Sequence, residues 1–205
     1  MSIMEARVHL RPAIRMLLLW SLFLGLAYPL GITGLAQMLF PSQANGSLVQ
    51  VDGQIRGSKW IGQEFDDPRY FWGRPSWTEP FPYNPLPSAG ANTGPLHPML
   101  EARVRARIQA LRDADPHPSG PIPVDLVTPS GSGLDPHISV AAALYQVPRV
   151  ARARGLPESL LRAFVEQHIE DRTWGILGEP RVNVLLLNLS LDERFGRPGS
   201  GDGER

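Results

Sequence analysis

The chain of 205 residues contains no cysteine. That absence excludes a disulfide framework, a thiolate nucleophile, a lipoprotein anchor and a cysteine metal centre. Lysine is nearly missing too: Lys59 is the only one, and there is no G-x-x-x-x-G-K-[ST] phosphate loop. His9, His97, His117, His137 and His168 are scattered without paired ligand spacing, so no metal site is expected. Net charge is absent as well, with 20 basic against 20 acidic residues. Setting aside Arg7, Arg11, Arg15 and Glu5 leaves 17 against 19, which is no footprint for nucleic acid. The sharpest absence is local: no charged residue occurs between Arg15 and Asp52.

Within that gap, MLLLWSLFLGLAYPLGITGLAQMLF runs from Met16 to Phe40. As a helix it would be about 37 Å long, enough to cross a bilayer core of about 30 Å with some tilt. Three arginines precede it and no positive charge follows it up to Gln50, so the N-terminus is expected inside and the remainder outside. Gly25 and Ala27 would suit a signal-peptide cleavage site, but the apolar run continues a dozen residues past Ala27, which favours an uncleaved anchor. Pro29 is expected to bend the helix. Ser21, Gly25 and Pro29, four apart, form a thin stripe on which a partner helix could dock.

The architecture expected is α+β: one N-terminal transmembrane helix followed by one loop-rich soluble domain. Its parts are a cytoplasmic arm over 1–15, the membrane helix over 16–40, an extracytoplasmic domain over 41–195 and a disordered tail over 196–205. Asn45-Gly46 reads as a turn, and Asp52-Gly53 as the tip of a hairpin between Leu48–Val51 and the segment around Ile55. From Gly57 to Pro98, prolines and glycines interrupt every helix while aromatics recur, which describes an ordered loop pinned by its rings. Leu96, Leu100, Val104, Ile108 and Leu111 mark an amphipathic helix whose Arg103, Arg105, Arg107 and Arg112 face solvent. Val124–Thr128 reads as a strand. Ser139 is expected to cap a helix from Val140, Pro148 to start a new helical turn, Gly155 to stop it, and Pro157 to open another with Leu160, Leu161, Phe164 and Val165 on one face. The segment from Val182 leans to helix, with Asn183 as its cap.

Chemistry is sparse. The polar loop Pro129–Ser139 holds Ser132, Gly133, Asp135 and His137, but Ser130 occupies the place of the first glycine in a G-x-S-x-G elbow. Triad members are also normally gathered from distant segments. A tight loop whose Ser and Asp side chains bond backbone donors accounts for the pattern. The residues describe a non-catalytic, membrane-anchored domain. A different class of reading is an anchored or secreted periplasmic enzyme or glycan-binding module that uses the aromatic loop.

The order of RPA at Arg11, YPL at Tyr28, FPSQANGSL, IGQEF, YFWGRPS, PYNP, IPVDLVTPSGSGLDPHIS, QVPRVARAR and GEPRVNVLLLNLSLD resembles the C subunit of the potassium-transporting P-type ATPase, the Kdp system, over about residues 11–194. The resemblance implies a small subunit of an inner-membrane complex that takes up potassium at the expense of ATP, with no cofactor expected to be bound by this subunit directly and ATP used at the level of the complex. Its implied partners are a potassium-channel-like subunit, an ATP-hydrolysing P-type subunit and membrane lipid. It also implies a role as a catalytic chaperone that raises the pump's affinity for ATP, with Gln146 of Gln146-Val147-Pro148-Arg149 as the proposed nucleotide contact. The arginine asymmetry, by contrast, puts Gln146 across the membrane from cytosolic ATP, so an effect on ATP affinity is expected to travel by conformational coupling.

Overall fold

The computed structural model describes residues 3–86, 88, 90, 92–116 and 120–198. It divides into two compact units, Met1–Leu48 and Val49–Arg205. The first is built on helix α1, Ile3–Leu22, a π-helical turn, Phe23–Ala27, helix α2, Tyr28–Leu39, and a single turn α3, Pro41–Ala44. The helix therefore begins well before Met16, and the expected arm is helical from Ile3 onward. One stretch, His9–Leu39, is long and apolar enough to cross a membrane, and none of its apolar window is buried in the chain.

The break expected at Pro29 takes a particular form. Pro29 sits in the first turn of α2, where a missing N–H is tolerated. The preceding turn widens, so that the Tyr28 N–H reaches five residues back to the Phe23 carbonyl. Ser21, Gly25 and Pro29 fall on α1, the π turn and α2 in succession, and a methyl group added at Gly25 would meet nothing within 4 Å.

From Leu48 onward β1, Leu48–Val51, and β2, Gln54–Ser58, form the expected hairpin. Asp52 and Gly53 both carry positive φ, 54° and 72°, the left-handed pair that a two-residue turn requires. Among the described residues no regular element follows until α4, Pro98–Ala114. The intervening loop is anchored by rings as expected: Phe71, Trp72 and Tyr83 are buried, and Phe65 packs on the core, while Trp60 and Phe81 remain exposed.

A three-stranded antiparallel sheet, in the order β3-β5-β4, is made of β3, His137–Ser139, β4, Ile169–Glu170, and β5, Arg181–Asn183. Ile138 and Ile169 both face Val182 in register. Against this sheet pack α5, Val140–Arg154, α6, Glu158–Glu166, and α7, Val184–Phe195. Ser139 and Asn183 cap α5 and α7 through the amides of Ala142 and Leu186, and Gly155 ends α5 at φ 67°. Each of these three roles follows the expectation.

Several expectations fail for identifiable reasons. Val124–Leu126 is a 3-10 turn rather than a strand, because the Val127 and Thr128 amides and the Thr128 hydroxyl all turn back to the Val124 carbonyl. Pro148 does not restart a helix: α5 runs straight through it. Leu160 is 42% exposed and leaves the buried face of α6 to Leu161, Phe164 and Val165. Of the segment from Val182 only Val182 itself departs, as part of β5; the expected helix is present from Val184, behind its Asn183 cap. Leu96 precedes α4 and is exposed. The expected tail over 196–205 lies outside the described residues beyond Pro198, although Arg197 within it pairs with Asp52 at 3.2 Å.

Candidate functional site

The segment Tyr70–Gly73 runs between α5 and α7 and, among the described residues, pairs with no strand. Buried backbone donors and acceptors need partners, and here side-chain amides supply them. The Phe71 N–H donates to Asn188 Oδ1 at 2.9 Å, and Asn188 Nδ2 donates back to the Phe71 carbonyl at 2.9 Å. One residue on, the Trp72 N–H donates to Gln146 Oε1 at 2.8 Å, and Gln146 Nε2 returns a bond to the Trp72 carbonyl at 3.1 Å. Successive residues of an extended chain point opposite ways, so an amide from α7 on one side and one from α5 on the other replace two neighbouring strands.

Gln146 is 1% exposed. Its oxygen accepts a second bond from Arg149 Nη2 at 2.6 Å, and its nitrogen donates a second to the Ala142 carbonyl at 3.2 Å. A glutamine amide has two donors and two acceptor sites, so all four are used inside the chain and none is left for a nucleotide.

Arginines complete the clamp. Arg149 bonds the Pro68 and Tyr70 carbonyls at 2.5 and 3.0 Å, and its guanidinium lies 4.6 Å from the Trp72 ring centre. Burial pushes its pKa down to about 10, which still leaves it charged at neutral pH. Arg107 approaches the same ring at 5.0 Å and bonds the Gly73 and Leu126 carbonyls. It therefore departs from the solvated face expected for the α4 arginines, and burial lowers its pKa. Arg103 likewise lies 4.8 Å over Trp77, whereas Arg105 stays on the surface with Glu101. Arg154 bonds the Arg69 carbonyl and Asp192, which also accepts the Tyr70 hydroxyl.

The polar loop splits into two parts. Ser132 Oγ accepts from the Leu134 amide, and Gly133 turns at φ 72° while its carbonyl accepts from Ser76 Oγ at 2.7 Å. The Ser132 bond is a local turn bond, the Ser76 bond ties the turn to the aromatic loop, and Ser132 is exposed. Asp135 and His137 form a pair: Asp135 Oδ1 lies 3.3 Å from His137 Nδ1 and accepts the His137 backbone N–H at 3.0 Å. Burial pushes the Asp135 carboxyl up, but hydrogen bonds from the His137 ring and backbone, with the charges of His137 and Arg74, hold it below the ordinary carboxylate value. On the other side of the ring, His137 Nε2 faces Glu170 Oε2 at 3.6 Å. Glu170 in turn meets Arg181 at 3.4 Å and Lys59 at 3.7 Å, and Asp135 meets Arg74 at 3.4 Å. The result is an alternating series of basic and acidic side chains, Arg74, Asp135, His137, Glu170, then Arg181 and Lys59, of which Arg74, Asp135, His137 and Arg181 line a cleft of about 530 Å³. Such a series fixes the polar loop to the root of the β4–β5 hairpin. No trio of His, Asp or Glu suited to a metal occurs among the described residues.

Sequence reasoning singled out Gln146, Asp135 and His137 but missed Asn188, Glu170 and Arg149. An asparagine inside the apolar run Leu185–Leu189 was the one local signal available, because a buried amide requires a partner.

The family model for the c chain of the K+-transporting ATPase matches residues 10–193. The potassium-transporting ATPase KdpC subunit of Sorangium cellulosum is 61% identical over 184 residues, which cover 90% of this chain and 97% of that protein. Those of Methylococcus capsulatus and Herpetosiphon aurantiacus are 58% and 57% identical, covering 90% and 91% of this chain and 97% of each relative. Matches of this extent take in the membrane helix, the clamp and the charge chain alike, and this chain belongs to the KdpC family of potassium-transporting ATPase subunits.

Proposed function

We propose that the chain is a non-catalytic accessory subunit of an ATP-driven potassium-uptake complex and acts on ATP affinity only at a distance. Its helix anchors it in the bacterial inner membrane, with the N-terminus inside and the domain outside. Its partners are a potassium-channel-like subunit, which the helix contacts through the Ser21, Gly25 and Pro29 positions, and a P-type subunit that binds and hydrolyses ATP. The domain holds those partners in the arrangement that favours ATP binding, as a catalytic chaperone working by conformational coupling.

The observation that carries this reading is the state of Gln146. An amide sealed in the core with four internal hydrogen bonds acts by positioning the aromatic loop, not by touching a ligand. Sidedness is testable because the chain has no cysteine of its own. Ala163→Cys, on the exposed face of α6, should react with a membrane-impermeant maleimide in intact spheroplasts. Protection until lysis would place the domain inside and reopen a direct role at the nucleotide.

A further inference from the structure

The ten residues between β4 and β5 form a projecting hairpin. Thr173 and Leu177 exchange backbone hydrogen bonds of 2.9 and 3.0 Å, closing the three-residue tip Trp174-Gly175-Ile176. Arg172 and Glu179 pair across its base at 2.6 Å. Its root is tied to the body by Glu170, which meets His137, Arg181 and Lys59. Yet the tip is apolar and open: Trp174 is 84% exposed, Ile176 74% and Leu177 51%. Trp174 also stands at φ 55°, a left-handed conformation unfavourable for an L-residue. The chain thus holds a strained tryptophan outward on a braced support, when ordinary packing would turn it in.

We propose that this tip is a docking wedge that enters an apolar crevice on another subunit of the same ATPase, an inference that rests on the accessory-subunit reading above. Trp is the residue type most enriched at binding hot spots, and a preformed tip lowers the ordering cost of association. A lipid surface fits less well. The segment 169–181 carries Glu170, Asp171 and Glu179 against Arg172 and Arg181, a net negative charge that an anionic leaflet repels. The described tip also offers only three large apolar side chains, enough to fill a pocket but little to hold a bilayer.

The test uses the full-length chain expressed with the rest of the complex. A photo-reactive phenylalanine analogue at position 176 is irradiated in native membranes, and the adduct is identified by mass spectrometry. The proposal expects an adduct to a peptide of another ATPase subunit. An adduct to lipid, to a second copy of this chain, or none at all while the complex still co-purifies would overturn the wedge and leave the accessory role standing. In parallel, the Trp174→Ser/Ile176→Ser pair should lower recovery of the detergent-solubilised complex at least tenfold, with the chain's own thermal unfolding unchanged and recovery restored by Trp174→Phe. Undiminished recovery would also overturn it. If the natural chain itself fails to co-purify with the large subunits, the accessory reading falls and takes the wedge with it.

Discussion

Gln146 and Trp72 lie 74 positions apart in the chain and exchange reciprocal hydrogen bonds of 2.8 and 3.1 Å, so that a side-chain amide stands where a neighbouring strand would. The bond pair sits at 1% and 5% exposure, where water cannot substitute for a lost partner. Gln146→Leu keeps the volume but strands the Trp72 N–H and carbonyl. At about 1–3 kcal/mol for each unsatisfied group, the loss should be about 2–6 kcal/mol. Chemical denaturation of the full chain in detergent measures it, and a change below about 0.5 kcal/mol would contradict the clamp.

Asn188 makes the same exchange with Phe71, the preceding residue. Because both amides hold one short segment, losing either should release what the other grips. Asn188→Leu and Gln146→Leu together should therefore destabilise less than the sum of the two alone, with a coupling of about 0.5–3 kcal/mol in a double-mutant cycle. Strict additivity would mean that Phe71 and Trp72 are held independently.

Local signals carried much of the fold: Ser139, Asn183 and Gly155 mark helix ends, and Asp52-Gly53 marks a hairpin, through bonds made within a few residues. The clamp had no such signal, since it joins residues 74 and 117 positions apart. Strands β3, β4 and β5 contain three, two and three residues, too few for alternation to register. Arg107 looked like a solvated helix charge because nothing in its own helix reveals the Gly73 and Leu126 carbonyls it meets. The KdpC family is visible in motif order alone, whereas the part played by Gln146 needed the partners of its amide.

Alkaline conditions should probe the loop at Tyr83. Its hydroxyl donates to the Arg74 carbonyl at 2.5 Å, and burial raises its pKa from 10.0 to about 12. Below pH 10 the phenol is neutral in folded and unfolded chains alike, so its contribution is complete there. Between about pH 10 and 12 the unfolded chain ionises first and stability falls, by about 3 kcal/mol at 1.36 kcal/mol per unit. Tyr83→Phe should flatten that alkaline limb in pH-dependent denaturation, after a lower starting stability from the lost hydrogen bond.

Acid should act on Asp135. Its carboxyl is held below the ordinary value of 3.8, so the stability it supplies is present above that value and is lost as pH falls through the lowered one. Asp135→Asn retains an acceptor for the His137 N–H but removes the charge between Arg74 and His137. The variant should be less stable at neutral pH and should converge with the natural chain in strong acid. Parallel pH profiles would show that the Asp135 charge contributes nothing to fastening the polar loop.

Arg149 decides whether the clamp needs a cation or a fork. Its guanidinium bonds two loop carbonyls and Gln146 while lying against Trp72, a planar geometry that an ammonium cannot copy. Arg149→Lys keeps a charge in principle, but a buried lysine loses its proton far more readily than a buried arginine. The substitution should therefore destabilise nearly as much as Arg149→Met at neutral pH. Because the unfolded lysine takes up its proton near pH 10.4 and the buried one only at lower pH, the lysine variant should lose stability relative to Arg149→Met as pH falls from about 10.4 to the lowered value, and no further below it. If Arg149→Lys instead matches the natural chain at every pH, a point charge is sufficient and the bidentate grip on Pro68 and Tyr70 is dispensable.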